Sequence, residues 1–277
     1  MKIYLSFDIE GVSGITDNVK DLDANSPKFR DAMELSTNDV NAAVEGAVAA
    51  GATEIVVNDG HGWNRRNILY EKLHPKASLL RGRITTSGLN MAAFDESYDA
   101  IFFVGWHSRA SAPGVLSHCL DSRVFTDWRV NDKSIGEPEI AAALAGTYNI
   151  PLILFTGDNA SCNEIKEWAP DCELVTTKFA IDRFSAICLS KEITYELIKN
   201  GAEKAIKRRQ GIKPFKFEMP IKIEADTLND HFAKAIAEIP GVELAGPLTV
   251  KYESTDYREA FKTIHVMQLI GGTAFKS

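Results

Sequence analysis

Residues 1–11 read Met1-Lys2-Ile3-Tyr4-Leu5-Ser6-Phe7-Asp8-Ile9-Glu10-Gly11. The run Ile3–Ile9 is nearly continuous in apolar residues, which marks a strand covered on both faces. Three more runs of the same kind follow: Thr53–Asn58 (TEIVVN), Ala100–Val104 (AIFFV) and Pro151–Phe155 (PLILF). Between the first two, Met33, Val40, Val44, Ala47 and Val48 recur at helical spacing over about Lys28 to Ala50, and Gly51 closes the segment. Further on, the pattern predicts a polar hairpin over Arg123–Ser134, helices over Glu137–Tyr148 and Asn159–Ala169, and a short strand over Leu174–Lys178. Apolar strands alternating with helices imply βαβ units. The expected fold is therefore α/β, a three-layer domain with a mainly parallel sheet over residues 1–188.

From about residue 189 the pattern changes. A helix (Lys191–Arg209), an alternating strand (Phe215–Glu224), a helix (Leu228–Ile239), short strands within Val242–Tyr252 and a last helix (Asp256–Ile270) suggest a smaller α+β domain over 189–277. Its expected role is in oligomer contacts.

Composition narrows the function. The chain has 277 residues with 31 basic and 38 acidic side chains, a net charge of −7. That balance argues against nucleic-acid binding, which needs a dense basic face. The basic cluster Lys204–Arg209 reads as the solvated face of a helix. No apolar stretch approaches the roughly 20 residues of a membrane-crossing helix. Asp8 and Glu10 follow the first apolar run at once, so that run is expected to be a buried strand rather than a secretory signal. Four cysteines, Cys119, Cys162, Cys172 and Cys188, stand without a C-x-x-C pair, which fits reduced thiols and a cytoplasmic location.

In a mainly parallel sheet, ligands bind beyond the carboxyl ends of the strands. The first strand is followed by Asp8-Ile9-Glu10-Gly11, the second by Asp59-Gly60-His61-Gly62, and AIFFV by Gly105-Trp106-His107. Asp8 and Glu10 are two apart on extended chain, so both carboxylates point to one side. Alone, such a pair reads as two exposed acids at a strand end. With His61 and His107 at equivalent ends, a metal site becomes the better reading, because mixed imidazole and carboxylate shells suit zinc. Glu137 opens a helix before Pro138, where an acid also suits the helix dipole; Glu139 competes with it, and spacing does not choose between them. His118 reads either as a ligand or as a general acid/base. Cys119 beside it reads as a small buried thiol, His74 as a helix-end residue, and His231 and His265 have no evident carboxylate partner.

These motifs resemble one known family. Ser6-Phe7-Asp8-Ile9-Glu10-Gly11 is similar to the S-x-D-x-E-G signature of the M55 family of zinc D-aminopeptidases. The likeness continues through Asn58-Asp59-Gly60-His61, Gly105-Trp106-His107-Ser108-Arg109-Ala110, Pro113-Gly114-Val115-Leu116-Ser117-His118 and Gly136-Glu137, and so covers essentially the whole chain. The resemblance implies two Zn²⁺ ions per subunit, with ligands at Asp8, Glu10, His61, His107 and Glu137, Asp8 bridging, and His118 as the catalytic histidine. It also implies short peptides with an N-terminal D-amino acid, such as D-Ala-D-Ala, as substrates, and a homo-decamer of two pentameric rings. Two rival readings are a non-catalytic dipeptide-binding protein and another dimetal amidohydrolase on the same scaffold.

Overall fold

The computed structural model describes residues 1–84 and 88–275. In chain order the elements are β1 (Lys2–Phe7), α1 (Phe29–Ala49), β2 (Glu54–Asp59), β3 (Ala77–Leu80), β4 (Ala100–Trp106), β5 (Phe125–Val130), β6 (Lys133–Ser134), α2 (Glu137–Thr147), β7 (Leu152–Asp158), α3 (Asn159–Trp168), β8 (Glu173–Asp182) and β9 (Ser185–Cys188). Then come α4 (Lys191–Arg208), β10 (Ile221–Thr227), α5 (Asp230–Ile236), β11 (Glu243–Leu244), β12 (Thr249–Ser254) and α6 (Tyr257–Ala274).

Seven strands form one sheet in the order β3-β2-β1-β4-β7-β8-β9, parallel except for the last. The alternation of side chains along β1 and β4 assigns the two faces. Ile3, Leu5, Phe7, Phe102 and Val104 pack with Val40 and Val44 of α1 and Ile198 of α4. Tyr4, Ile101 and Phe103 face the other way, into a core shared with Ile140 of α2, Trp128 of β5 and Phe261 of α6. Both faces are covered, so these strands are apolar at nearly every position, as the α/β reading requires.

A second, antiparallel sheet has the order β11-β12-β10-β5-β6. It is not confined to residues 189–277: β5 and β6, the hairpin foreseen over Arg123–Ser134, come from the middle of the chain. Asn131 (φ 51°) and Asp132 (φ 66°) supply the tight turn between them, two residue types that tolerate the left-handed region. Conversely, α4 packs along α1 on the first sheet, so the first unit reaches past residue 188.

The predicted strand at Phe215–Glu224 is displaced to Ile221–Thr227. Phe215 and Phe217 alternate as a strand would, but both rings pack edge-on against Trp168, at 5.5 and 5.9 Å, in an irregular segment. The four-residue strands β3 and β9 lie at the sheet edges and are too short for periodicity to reveal.

Helices α1 and α4 touch through Gly46. A Cβ there would stand 2.1 Å from the Lys199 carbonyl oxygen and 2.9 Å from the Ala202 Cβ. In a free helix, Ala is better than Gly by about 0.8–1.0 kcal/mol. Gly46→Ala is nevertheless expected to destabilise the protein, by about 1–3 kcal/mol from overpacking. Urea unfolding checks the sign, and a stabilised variant would show that the close approach is dispensable.

Candidate metal centre

The strand order reverses direction between β1 and β4. The chain runs outward from β1 to β2 and β3, then returns to place β4 on the other side of β1. Such a switch point opens a crevice beyond the strand ends. Backbone bonds hold the chain in register there: Asp8 N donates to Val104 O (2.9 Å), Gly11 N to Gly105 O (2.7 Å) and Gly60 N to Phe7 O (3.0 Å). Residues about a hundred positions apart in sequence are thereby fixed side by side.

The side chains converge in the same place. His61 Nε2 is 3.1 Å from Glu10 Oε1, and His107 Nε2 is 3.4 Å from Asp8 Oδ2 and 3.5 Å from Glu137 Oε1. His118 Nε2 is 3.7 Å from the same Glu137 oxygen, and its ring stacks on that of His107 with centroids 4.1 Å apart. The set forms two trios, Asp8–Glu10–His61 and His107–His118–Glu137; within each, the donor atoms lie within 4.8 Å of one another. Asp8 touches both trios through His107.

Each histidine has its other ring nitrogen anchored. His107 Nδ1 is 2.8 Å from Ser108 O, His118 Nδ1 is 2.8 Å from Leu116 O, and His61 Nδ1 is 3.2 Å from Asn67 Oδ1. A proton on Nδ1 donated to these oxygens leaves the Nε2 lone pair turned toward the carboxylates, the tautomer a metal requires. Asp8 Oδ2, Glu10 Oε2 and His107 Nε2 are buried without a hydrogen-bond partner. Buried carboxylates in that state need a positive charge beside them.

The electrostatics say the same. Burial, reinforced by the charge of Glu10, raises the Asp8 carboxyl well above the usual range. At Glu10 burial is outweighed by the charge and hydrogen bond of His61, which hold its carboxyl well below that range. Burial of His61 opposes its protonation, but Glu10 and Asp8 overcome it and push the imidazole up to about 10. Protons are retained because the pocket holds more carboxylate than it can bury uncompensated; a divalent cation satisfies the same demand. Imidazole nitrogens and carboxylate oxygens on a rigid frame are a zinc-type donor set.

The first turn of α2 sends Glu137 and Glu139 to different partners. Glu137 accepts from Leu120 N (2.7 Å) and faces His107 and His118. Glu139 turns back to accept from Gly136 N (2.7 Å); burial and the neighbouring Glu164 push its carboxyl up to about 8.

Three supporting residues escaped the sequence reading. Lys178 is fully buried, and its ammonium donates to Glu10 O (2.6 Å), Val12 O (2.9 Å) and Ile15 O, tying down the loop that carries Glu10. A lone lysine at the end of an apolar strand was the available signal. Asp158 caps α3 through Ser161 N (2.7 Å) and also accepts from Val115 N (2.7 Å), holding the loop that leads to His118. Asn67 anchors His61 and is itself held by Asp59 (2.6 Å).

The cluster opens into a cavity of about 390 Å³, lined by Asp8, His61, His107, His118 and Glu137 on one side. Helix α6 also contributes to the wall, through His265, Gln268 and Leu269. That volume falls within the size range of small-molecule sites.

Comparisons with known proteins agree with the resemblance read from the motifs. The D-aminopeptidase family model, Peptidase M55, matches residues 1–266. A D-aminopeptidase of Bacillus subtilis (strain 168) is 30% identical over 268 residues, covering 96% of each chain. The solved structure of the Zn-dependent D-aminopeptidase DppA from Bacillus subtilis, described as a self-compartmentalizing protease, superposes with a TM-score of 0.93 at 28% identity. That superposition covers 98% of both chains. On this evidence the chain belongs to the M55 family of D-aminopeptidases.

Proposed function

We propose that the protein is a dizinc aminopeptidase that hydrolyses short peptides carrying an N-terminal D-residue, with D-Ala-D-Ala as the simplest substrate. The observation that carries this reading is the convergence of three imidazole Nε2 atoms and three carboxylates at one cavity. Asp8, Glu10, His61, His107 and Glu137 would hold the two ions, with Asp8 shared between them. Zinc bound there would supply a water that ionises near neutral pH and a Lewis acid for the scissile carbonyl.

The remaining work falls to the protein. His118 is fixed by its Nδ1 contact to Leu116 O and presents Nε2 to the cavity. Burial, and then the charge of His107, lower its pKa, which favours the neutral imidazole that can accept a proton. It would then pass that proton to the departing amine. The second reading of His118, as a ligand, has support from its place in a trio with His107 and Glu137.

Assembly is proposed as a homo-decamer of two pentameric rings. Phe179, Ile181, Phe184 and Ile187, on β8, β9 and the turn between them, are all 45–66% exposed at the sheet edge, an apolar patch of the kind that partners cover. A cytoplasmic setting is proposed as well: Cys119, Cys162, Cys172 and Cys188 are all free, and no helix among the described residues is long and apolar enough to cross a membrane.

Three outcomes are expected. Purified protein should contain two zinc ions per chain and release alanine from D-Ala-D-Ala. Chelation should abolish this and zinc restore it; a zinc-loaded protein inert toward every D- and L-dipeptide would overturn the peptidase reading in favour of simple binding. His118→Ala should retain both ions while losing about 10²–10⁴-fold in turnover, the usual worth of a general acid/base. Loss of one ion would instead move His118 into the ligand set. Light scattering should give a particle of ten chains, whereas a monomer would remove the ring assembly.

A further inference from the structure

The cavity has a second charged feature, at Arg65. This residue sits in the loop that leads from β2, past His61, and is only 8% exposed, yet it lines the same cavity as the metal-type cluster. Its backbone lies in the left-handed region (φ 47°), a conformation that costs energy for a residue with a Cβ and concentrates at functional sites. Nη1 makes one long contact, 3.4 Å to Asn58 Oδ1. Among the described residues no carboxylate oxygen lies within 4.0 Å of the guanidinium. Asp59, whose charge reaches it, has both oxygens engaged elsewhere, by the Asn67 side chain (2.6 Å), Asn67 N (2.7 Å) and Ile68 N (3.2 Å).

Of the other charged residues on the wall, Asp121 is taken up by Arg123, whose Nε and Nη2 donate to it at 2.9 and 2.7 Å. His265 of α6 lines the cavity beside Arg65: a Cβ placed on Gly88 would be 2.9 Å from Arg65 Nη2 and 3.9 Å from His265 Nε2. Beside the metal-type cluster, the cavity wall thus carries the paired Asp121 and Arg123 and, at Arg65, a guanidinium beside a histidine. A buried charge without a counter-charge is destabilising. A guanidinium presents a planar fork of donors that fits a carboxylate through two parallel bonds.

We propose that Arg65 binds a carboxylate of the peptide substrate, and so selects short peptides whose anionic group lies beyond the scissile bond. The inference rests on the peptidase reading above and adds the substrate group recognised. In a dipeptide the C-terminal carboxylate occupies that position; an acidic side chain on the second residue presents the same chemistry.

The test uses zinc-loaded enzyme and two matched pairs of substrates, D-Ala-D-Ala against its C-terminal amide, and D-Ala-D-Glu amide against D-Ala-D-Gln amide. Wild type is expected to favour the charged member of one pair by about tenfold or more in kcat/KM, mainly through KM, as the loss of a charge-assisted bond implies. The pair that responds identifies the carboxylate. Arg65→Gln should erase that preference, lowering kcat/KM for the charged member far more than for the uncharged one, and keep or raise the melting temperature, because a buried unpaired charge is gone. Should Arg65→Gln fail to fold, Arg65→Lys, which keeps charge but not the fork, carries the test and should retain only part of the preference; a preference kept in full would overturn the assignment.

Wild type indifferent to charge in both pairs would overturn the assignment. So would an equal loss on charged and uncharged substrates in Arg65→Gln. Absence of hydrolysis of all four peptides by zinc-loaded wild type would overturn the peptidase reading itself, and this role with it.

Discussion

The alignment of three parallel strand ends is the constraint on which the rest of the molecule depends. Hydrogen bonds from Asp8 N to Val104 O and from Gly60 N to Phe7 O set the ends of β1, β2 and β4 level. With that register, Asp8, Glu10, His61 and His107 share one crevice. A shift of a single residue along β1 would move Asp8 to the opposite face and carry the turn bearing Glu10 with it. The apolar interior on both sides of β1 enforces the register, since Ile3, Leu5 and Phe7 fit only the α1–α4 core.

A pocket of carboxylates is unfavourable in isolation, and the structure offsets this at several levels. Within the cluster, imidazoles stand against the acids at 3.1–3.7 Å. Behind it, Lys178 satisfies three loop carbonyls with an ammonium that burial pulls down to about 8. Farther out, Asp59, Asn67 and Asp158 fix the loops that bring His61 and His118 inward. This rigidity matters for chemistry: a donor set held in place before a cation arrives binds it without the entropy of ordering loose side chains.

The two sheets divide the labour. The parallel sheet positions Asp8, Glu10, His61 and His107, the chain around the β5–β6 hairpin adds His118 and Glu137, and α6 contributes His265, Gln268 and Leu269 to the cavity wall. Without α6 the cluster would lie more open beyond the strand ends. Enclosure lowers the local dielectric and strengthens every charge interaction within, which suits a reaction that develops charge on a peptide carbonyl.

Much of this was legible in the sequence. Continuous apolar runs predicted β1, β2, β4 and β7, and the acids or histidines directly after three of them do gather in one crevice, because strand ends converge in any parallel sheet. The tertiary structure decided what local pattern leaves open. Glu137 and Glu139 are equivalent in spacing, and only the position of Leu120 N and the two histidines distinguishes them. Phe215 and Phe217 alternate like a strand, but Trp168 draws both rings into a cluster. His265, without a sequence-level partner, stands beside Arg65 because α6 folds over the crevice. Periodicity reports which face of an element is apolar. Which distant element covers that face, and which side chain completes a site, depends on contacts across the chain that no local window contains.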